Sequence, residues 1–141
     1  ENTILGLGDG GAHCGMICDG SLPTHMIERW SDARRGDLPI AEVIKALSSE
    51  TAEAIGLNDR GLIRPGYRAD LNVIDTAQIG IGRHEIGADL PDGGRRLHQN
   101  ATGYDATIVS GVVTYRHGEP TGALPGRLVR GAQAAPLPVS A

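Results

Sequence analysis

Phenylalanine is missing from this 141-residue chain, and aromatic residues of any kind are few: one tryptophan and three tyrosines. Aliphatic side chains must therefore build whatever core it has. With only two cysteines it has no disulfide framework. No stretch approaches the ~18 consecutive apolar residues of a membrane helix, and no charged-then-apolar secretory segment opens the chain. Positive charge is also thin, with 13 Lys+Arg against 17 Asp+Glu and a net charge of −4. The longest basic runs are Arg34-Arg35 and Arg95-Arg96, too short for the clustered patch that holds nucleic acid. The expectation is a reduced, cytoplasmic protein with neither nucleic acid nor membrane as a partner.

What the chain has in quantity is glycine, 21 residues, and with 8 prolines these fill roughly a fifth of it. That density marks many turns and short elements. At 40% hydrophobic residues the composition is not that of a disordered chain. Its length fits about one domain. It begins at Glu1 without methionine, and its first segment reads as the interior of an element, so it is expected to be a piece of a longer protein.

Thr3-Ile4-Leu5-Gly6-Leu7-Gly8 is a brief apolar run closing on Asp9-Gly10-Gly11. Such a run, without polar alternation, suits a buried strand of a parallel sheet. Leu22, Met26, Ile27 and Trp30 then repeat at helical spacing. Asp37-Leu38-Pro39 opens a stronger helix whose face is Ile40, Val43, Ile44 and Leu47, with Pro39 suited to its first turn. Ser48-Ser49 offers the N-cap of a short helix ending near Ile55, and Gly56 its left-handed cap. Beyond it the period changes. Arg64-Pro65-Gly66-Tyr67 is a turn, and Ala69 to Asp75 alternates as a strand. Residues 76–103 hold no regular element and read as a long loop. Ala106 to Tyr115 is a hairpin turning at Ser110-Gly111. From Gly118 on, the tail carries four of the eight prolines and reads as mobile. No internal repeat is evident.

Chemistry concentrates at Gly8-Asp9-Gly10-Gly11-Ala12-His13. A carboxylate directly after a buried strand, flanked by glycines that admit a ligand to the backbone, is a common placement of a catalytic group at the carboxyl edge of a sheet. His13 would line the same mouth. The alternative is that Asp9 caps a turn and His13 is a surface residue. Cys14 and Cys18 lack a second ligand pair at zinc-finger spacing and read as small buried apolar residues. His84, His98 and His117 read as solvated, and His25 as a packing residue. Gly6-x-Gly8-x-Gly10-Gly11 departs from the dinucleotide fingerprint at its third glycine and has no acidic partner about 20 residues on.

Three ordered motifs carry a family resemblance: Gly8 to His13; Gly61-Leu62-Ile63-Arg64-Pro65-Gly66-Tyr67-Arg68-Ala69-Asp70-Leu71-Asn72-Val73-Ile74-Asp75; and Ala106-Thr107-Ile108-Val109-Ser110-Gly111-Val112-Val113. Together they resemble the C-terminal third of the amidohydrolase superfamily, and more narrowly its D-aminoacylase (N-acyl-D-amino-acid deacylase) branch, as does the closing Thr121-Gly122-Ala123-Leu124-Pro125-Gly126-Arg127. The resemblance implies an α+β fragment: the last βα unit of a (β/α)8 metal-dependent hydrolase barrel plus the C-terminal strands of a small composite β-sandwich. Residues 1–56 would be the terminal strand and helices of the barrel. Residues 57–121 would belong to the sandwich, with the loop at 76–103, and residues 122–141 would form the tail.

The resemblance also implies roles. Asp9 matches the aspartate that ends the eighth barrel strand, contacts the metal-bound water and carries its proton to the leaving amine. Asp9 is thus the expected catalytic residue and a metal contact, and His13 the expected contact for the substrate carboxylate. The cofactor would be Zn2+, with most ligands outside this chain, and the substrate a small N-acyl amino acid. A (β/α)8 barrel needs about 250 residues, so by itself the chain is expected to be inactive. Its unpaired strand edges would favour self-association. A non-catalytic α+β binding or assembly module is the competing reading.

Overall fold

The computed structural model describes residues 3–6, 8, 15–16 and 19–137. Its first half is helical. A 3-10 turn over Asp19–Ser21 runs into α1 (Leu22–His25) and continues as a π-helical turn over Met26–Trp30. The helical spacing of Leu22, Met26 and Ile27 is thus realised, although the wider π turn leaves Trp30 54% exposed. A tight loop follows, in which Leu38 N–H bonds the Trp30 carbonyl at 3.0 Å and Asp32 N–H bonds the Leu38 carbonyl at 2.7 Å. Gly36 is required there, because a Cβ would overlap the Trp30 carbonyl.

Two helices come next, α2 (Ile40–Leu47) and α3 (Ser49–Ala54). Pro39 stands at the N-cap of α2 rather than inside its first turn. The cap bond comes from further back, as Asp32 Oδ1 accepts the Ile40 N–H at 2.9 Å. Ser48 precedes α3 as expected, but its hydroxyl turns backward to the Ile44 carbonyl at 2.5 Å and caps nothing ahead of it. Gly56 takes the left-handed conformation, φ +75.

The second half is built of strands: β1 (Leu71–Ile74), β2 (Gly80–Gly87), β3 (Arg96–Thr102), β4 (Tyr104–Val109), β5 (Val112–Arg116) and β6 (Glu119–Pro120). Four of them form an antiparallel sheet in the order β1-β4-β5-β6. Leu71 stands opposite Ile108, and Ile108 opposite Val113, so aliphatic side chains stack across it. The β4–β5 turn has positive φ at both Ser110 and Gly111, the backbone that matches the twist of a two-residue hairpin.

Three expectations need correction. Residues 76–103 are not a loop, because β2 and β3 form a separate antiparallel hairpin within them. Glycines and charged residues at Gly80, Gly82, Arg83, Glu85 and Gly87 hide the period-two pattern. The strands are joined instead by cross-strand contacts, such as the Gln99 side-chain amide donating to the Gly82 carbonyl at 2.9 Å. Residues 3–6, expected within a buried strand, belong to no ladder, and Ile4 is 55% exposed. A strand exists only beside a neighbour that takes its N–H and C=O groups, and no described segment offers one there. The tail is anchored at Gln133, whose N–H bonds the Gly56 carbonyl at 2.8 Å and whose carbonyl accepts the Asn58 N–H at 3.1 Å.

The core lies where the two halves meet. Ile27, Val43 and Ile79 are its buried centre, with Met26, Ile40, Leu47, Ile74 and Tyr104 packed around them. Ile79 reaches it through a compact turn. The Asp75 carboxylate accepts the Ala77 N–H at 2.9 Å and the Gln78 amide at 2.6 Å, and the Asp75 carbonyl accepts the Ile79 N–H at 3.0 Å. Gly103, at φ +84, passes so close that a Cβ on it would lie 2.5 Å from Ile79 Cα. Among the described residues no helix is long and apolar enough to cross a membrane.

With Ile79 wholly buried, Ile79→Ala is expected to cost about 2–5 kcal/mol in urea unfolding. The same truncation at Ile63, 88% exposed, should stay within about 0.5 kcal/mol.

Candidate functional site

Asp9 and His13, the two residues expected at the site, lie outside the described residues, as do Cys14 and Cys18. What the structure defines is how the segment that follows them in the chain is held. Three polar links fasten it to the strand half. Thr24, 5% exposed, pairs its hydroxyl with the Tyr104 hydroxyl at 2.8 Å. The Arg34 guanidinium donates to the Ala77 carbonyl at 2.6 Å. Glu28, buried in the π turn, accepts the Ile81 N–H at Oε2, 3.0 Å, while its other oxygen lies 3.6 Å from Arg35. A buried carboxylate is tolerable only when such partners replace its water.

None of these three links was legible in the sequence. Glu28 falls off the apolar stripe and its backbone partner lies 53 residues away. The one local signal was the acidic residue beside Ile27, which alone says nothing of burial.

Two clefts flank the joint. One, about 370 Å³, is largely apolar, with Pro23, Ile27, Ile44, Leu47, Leu71 and Tyr104 among its walls. The other, about 500 Å³, lies between β3 and the sheet and is polar, with Gln99, Asn100, Thr107, Tyr115, His117 and Glu119 in its lining. The four described histidines do not converge. His98 faces Glu85 across the β2–β3 hairpin at 3.3 Å, and exposed His117 lies 3.6 Å from Asp105. His25 and His84 are exposed. Among the described residues no three His, Cys, Asp or Glu side chains come together to hold a metal ion. The Zn2+ implied by the resemblance therefore has no ligand set in them.

Charged groups outside the joint serve as braces. Asp70 takes Arg68 at 2.9 Å and Arg60 at 3.4 Å, and its Oδ1 accepts the Ser110 N–H at 2.8 Å. It thereby ties the Arg60–Arg68 segment to the β4–β5 turn. The Arg60 hydrogen bond holds the Asp59 carboxyl below its usual range. At the head of the β2–β3 hairpin Arg96 grips Asp89 with two hydrogen bonds, 2.8 and 2.7 Å. This grip lowers Asp89 to about 2.

Against known proteins, the amidohydrolase family model matches residues 3–115. An uncharacterized protein of Mycobacterium tuberculosis is 32% identical over 122 residues, which is 82% of this chain and 20% of that protein, and one of Mycobacterium bovis matches to the same extent. Adenine deaminase 1 of Agrobacterium fabrum is 58% identical over 40 residues, 28% of this chain and 7% of that enzyme. The adenine deaminase of Cereibacter sphaeroides is 50% identical over 54 residues, 38% of this chain and 9% of that enzyme. The chain thus spans about a fifth of the length of the mycobacterial relatives it matches. No solved structure matches it.

The Asp89–Arg96 brace has a pH signature. Because folding lowers the Asp89 pKa, its stabilising contribution is complete above the ordinary carboxylate value of about 3.9 and fades as pH falls from there through about 2. NMR titration of the Asp89 carboxyl carbon should give a midpoint near 2, rising toward about 3.9 in Arg96→Gln.

Proposed function

The chain belongs to the amidohydrolase family, and from that premise we propose that it is the C-terminal portion of a hydrolase that cleaves C–N bonds, with N-acyl-D-amino acids as substrates. The observation that carries this reading is the extent of the family match. It runs from residue 3 to residue 115, and so takes in the Gly8-Asp9-Gly10-Gly11-Ala12-His13 stretch as well as β1 to β4 and most of β5.

In this reading Asp9 works as a proton carrier. Water adds to the amide carbonyl carbon as its proton passes to the Asp9 carboxylate. The C–N bond then breaks and the same proton goes to the departing nitrogen, so one carboxyl serves as base and then as acid. His13 holds the substrate carboxylate. The resemblance adds a divalent cation, Zn2+, and the described residues do not fit it, so its ligands would come from polypeptide outside them.

The exposed surface supports the view that more protein covers this chain. It amounts to 10096 Å² for 14.7 kDa, against roughly 6,900 Å² for a compact monomer of that mass. Alone, the chain is proposed to be inactive and to self-associate through its unpaired strand edges. The scarcity of cysteine, two residues in the chain, supports a reduced, cytoplasmic setting for it.

A second reading, deamination of adenine, is favoured by the 58% identity to an adenine deaminase. It uses the same attack of water and loss of nitrogen. The first reading stands ahead of it because the motifs that resemble the D-aminoacylase branch run from Gly8 to Arg127, whereas the deaminase likeness covers 28% of the chain.

The test uses the longer polypeptide that carries this chain, loaded with Zn2+ and offered N-acetyl-D-amino acids and adenine in parallel. Release of free amino acid supports the first reading, and release of ammonia from adenine replaces it with the second. Turnover of neither leaves the assembly module. With the active substrate, Asp9→Asn should lower kcat by at least about 10²-fold. Near-normal activity in that variant would remove Asp9 from the reaction.

A further inference from the structure

The β2–β3 hairpin has only two strands, so each leaves one edge open. A two-stranded hairpin is marginally stable by itself. The outer edge of β2 is occupied at its base, where Glu28 takes the Ile81 N–H. Beyond that point, from Gly82 to Gly87, no strand lies beside it among the described residues. Natural edge strands are usually blunted by lysine, proline or bulges. β2 has neither lysine nor proline. Its one irregularity sits at the base of the open stretch, where Gly82 and Arg83 stand opposite Asn100.

The residues on this edge are Gly82-Arg83-His84-Glu85-Ile86, and they are complementary to their own reverse. Read antiparallel about His84, Arg83 meets Glu85 and Ile86 meets Gly82. The side chains are free to do this. Arg83 makes no hydrogen bond or ion pair with described residues, Glu85 engages His98 through Oε2 alone, and Ile86 is 62% exposed.

We propose that the open edge of β2 pairs antiparallel with β2 of a second copy of this chain, across a two-fold axis at His84. The two Arg83–Glu85 pairs then bracket the axis, with opposite charges directly across the ladder. Each Ile86 stands across from the copy's Gly82. This is an isologous contact, closed after two chains, so it yields a dimer rather than a fibre. The self-complementarity is what selects a second copy over a different strand. The inference rests on the self-association proposed above and names the edge responsible.

Sedimentation velocity of the protein at pH 8 tests it. The expected results are a concentration-dependent dimer for the wild type, a monomer for Glu85→Arg, and the dimer restored by the charge swap Arg83→Glu/Glu85→Arg. Circular dichroism checks that each variant is folded. Should Glu85→Arg fail to fold, His84→Lys gives the same expected loss by placing two like charges at the axis. A dimer unchanged in Glu85→Arg and His84→Lys, or a swap that restores nothing, overturns the β2 pairing and leaves self-association through another edge. A wild type that stays monomeric at every concentration overturns both.

Discussion

Ile79 is wholly enclosed at the point where the helical and strand halves touch, and the rest of the architecture is arranged around that enclosure. It stands between β1 and β2, and its partners Ile27 and Val43 come from the π turn and α2. Three apolar side chains make a small seal, so the surrounding polar links matter. Thr24–Tyr104, Glu28–Ile81 and Arg34–Ala77 all cross the same boundary. The first two replace water lost by the buried Thr24 and Glu28, which removes the penalty of leaving them unpaired, while the Arg34 bond lies at the exposed rim. Among the described residues no buried side-chain polar atom lacks a partner. The Asp75 turn and the close passage of Gly103 deliver Ile79 to its place by backbone geometry alone.

The segment fastened at this joint is the one that follows Asp9 and His13 along the chain, and the three links hold it against the strand half. Away from the joint, apolar side chains stand open to solvent, with Ile63, Leu124 and Leu137 86–94% exposed. Membership of the amidohydrolase family comes from the match over residues 3–115. The substrate does not, because the strongest local likeness is to adenine deaminases and the broadest is to uncharacterized mycobacterial proteins.

How far the fold was legible depended on how local its cause was. The α2 stripe, the left-handed Gly56, the Arg64-Pro65-Gly66-Tyr67 turn and the Ser110-Gly111 hairpin each arise from interactions within a few residues, and each is found where the pattern put it. The Asp32 cap on α2 was missed because it acts across a loop, and the Ser48 cap was expected wrongly because its hydroxyl found a carbonyl behind it. The hairpin at 80–102 was missed because its pairing depends on cross-strand polar contacts, which leave no apolar alternation. The candidate site was named by resemblance, and its two residues fall outside the described part of the structure.

The sequence by itself determined the α2 stripe, the left-handed Gly56 and the Ser110-Gly111 turn, since these follow from residue type and short spacing, and its ordered motifs carried the resemblance to the amidohydrolases. Only the tertiary structure decided that Glu28 is buried, that Ile79 is the keystone of the core, that residues 3–6 join no ladder and that β2 keeps an open edge. Those outcomes turn on which distant segments supply a hydrogen-bond partner or cover an apolar side chain, and separation along the chain carries no record of that.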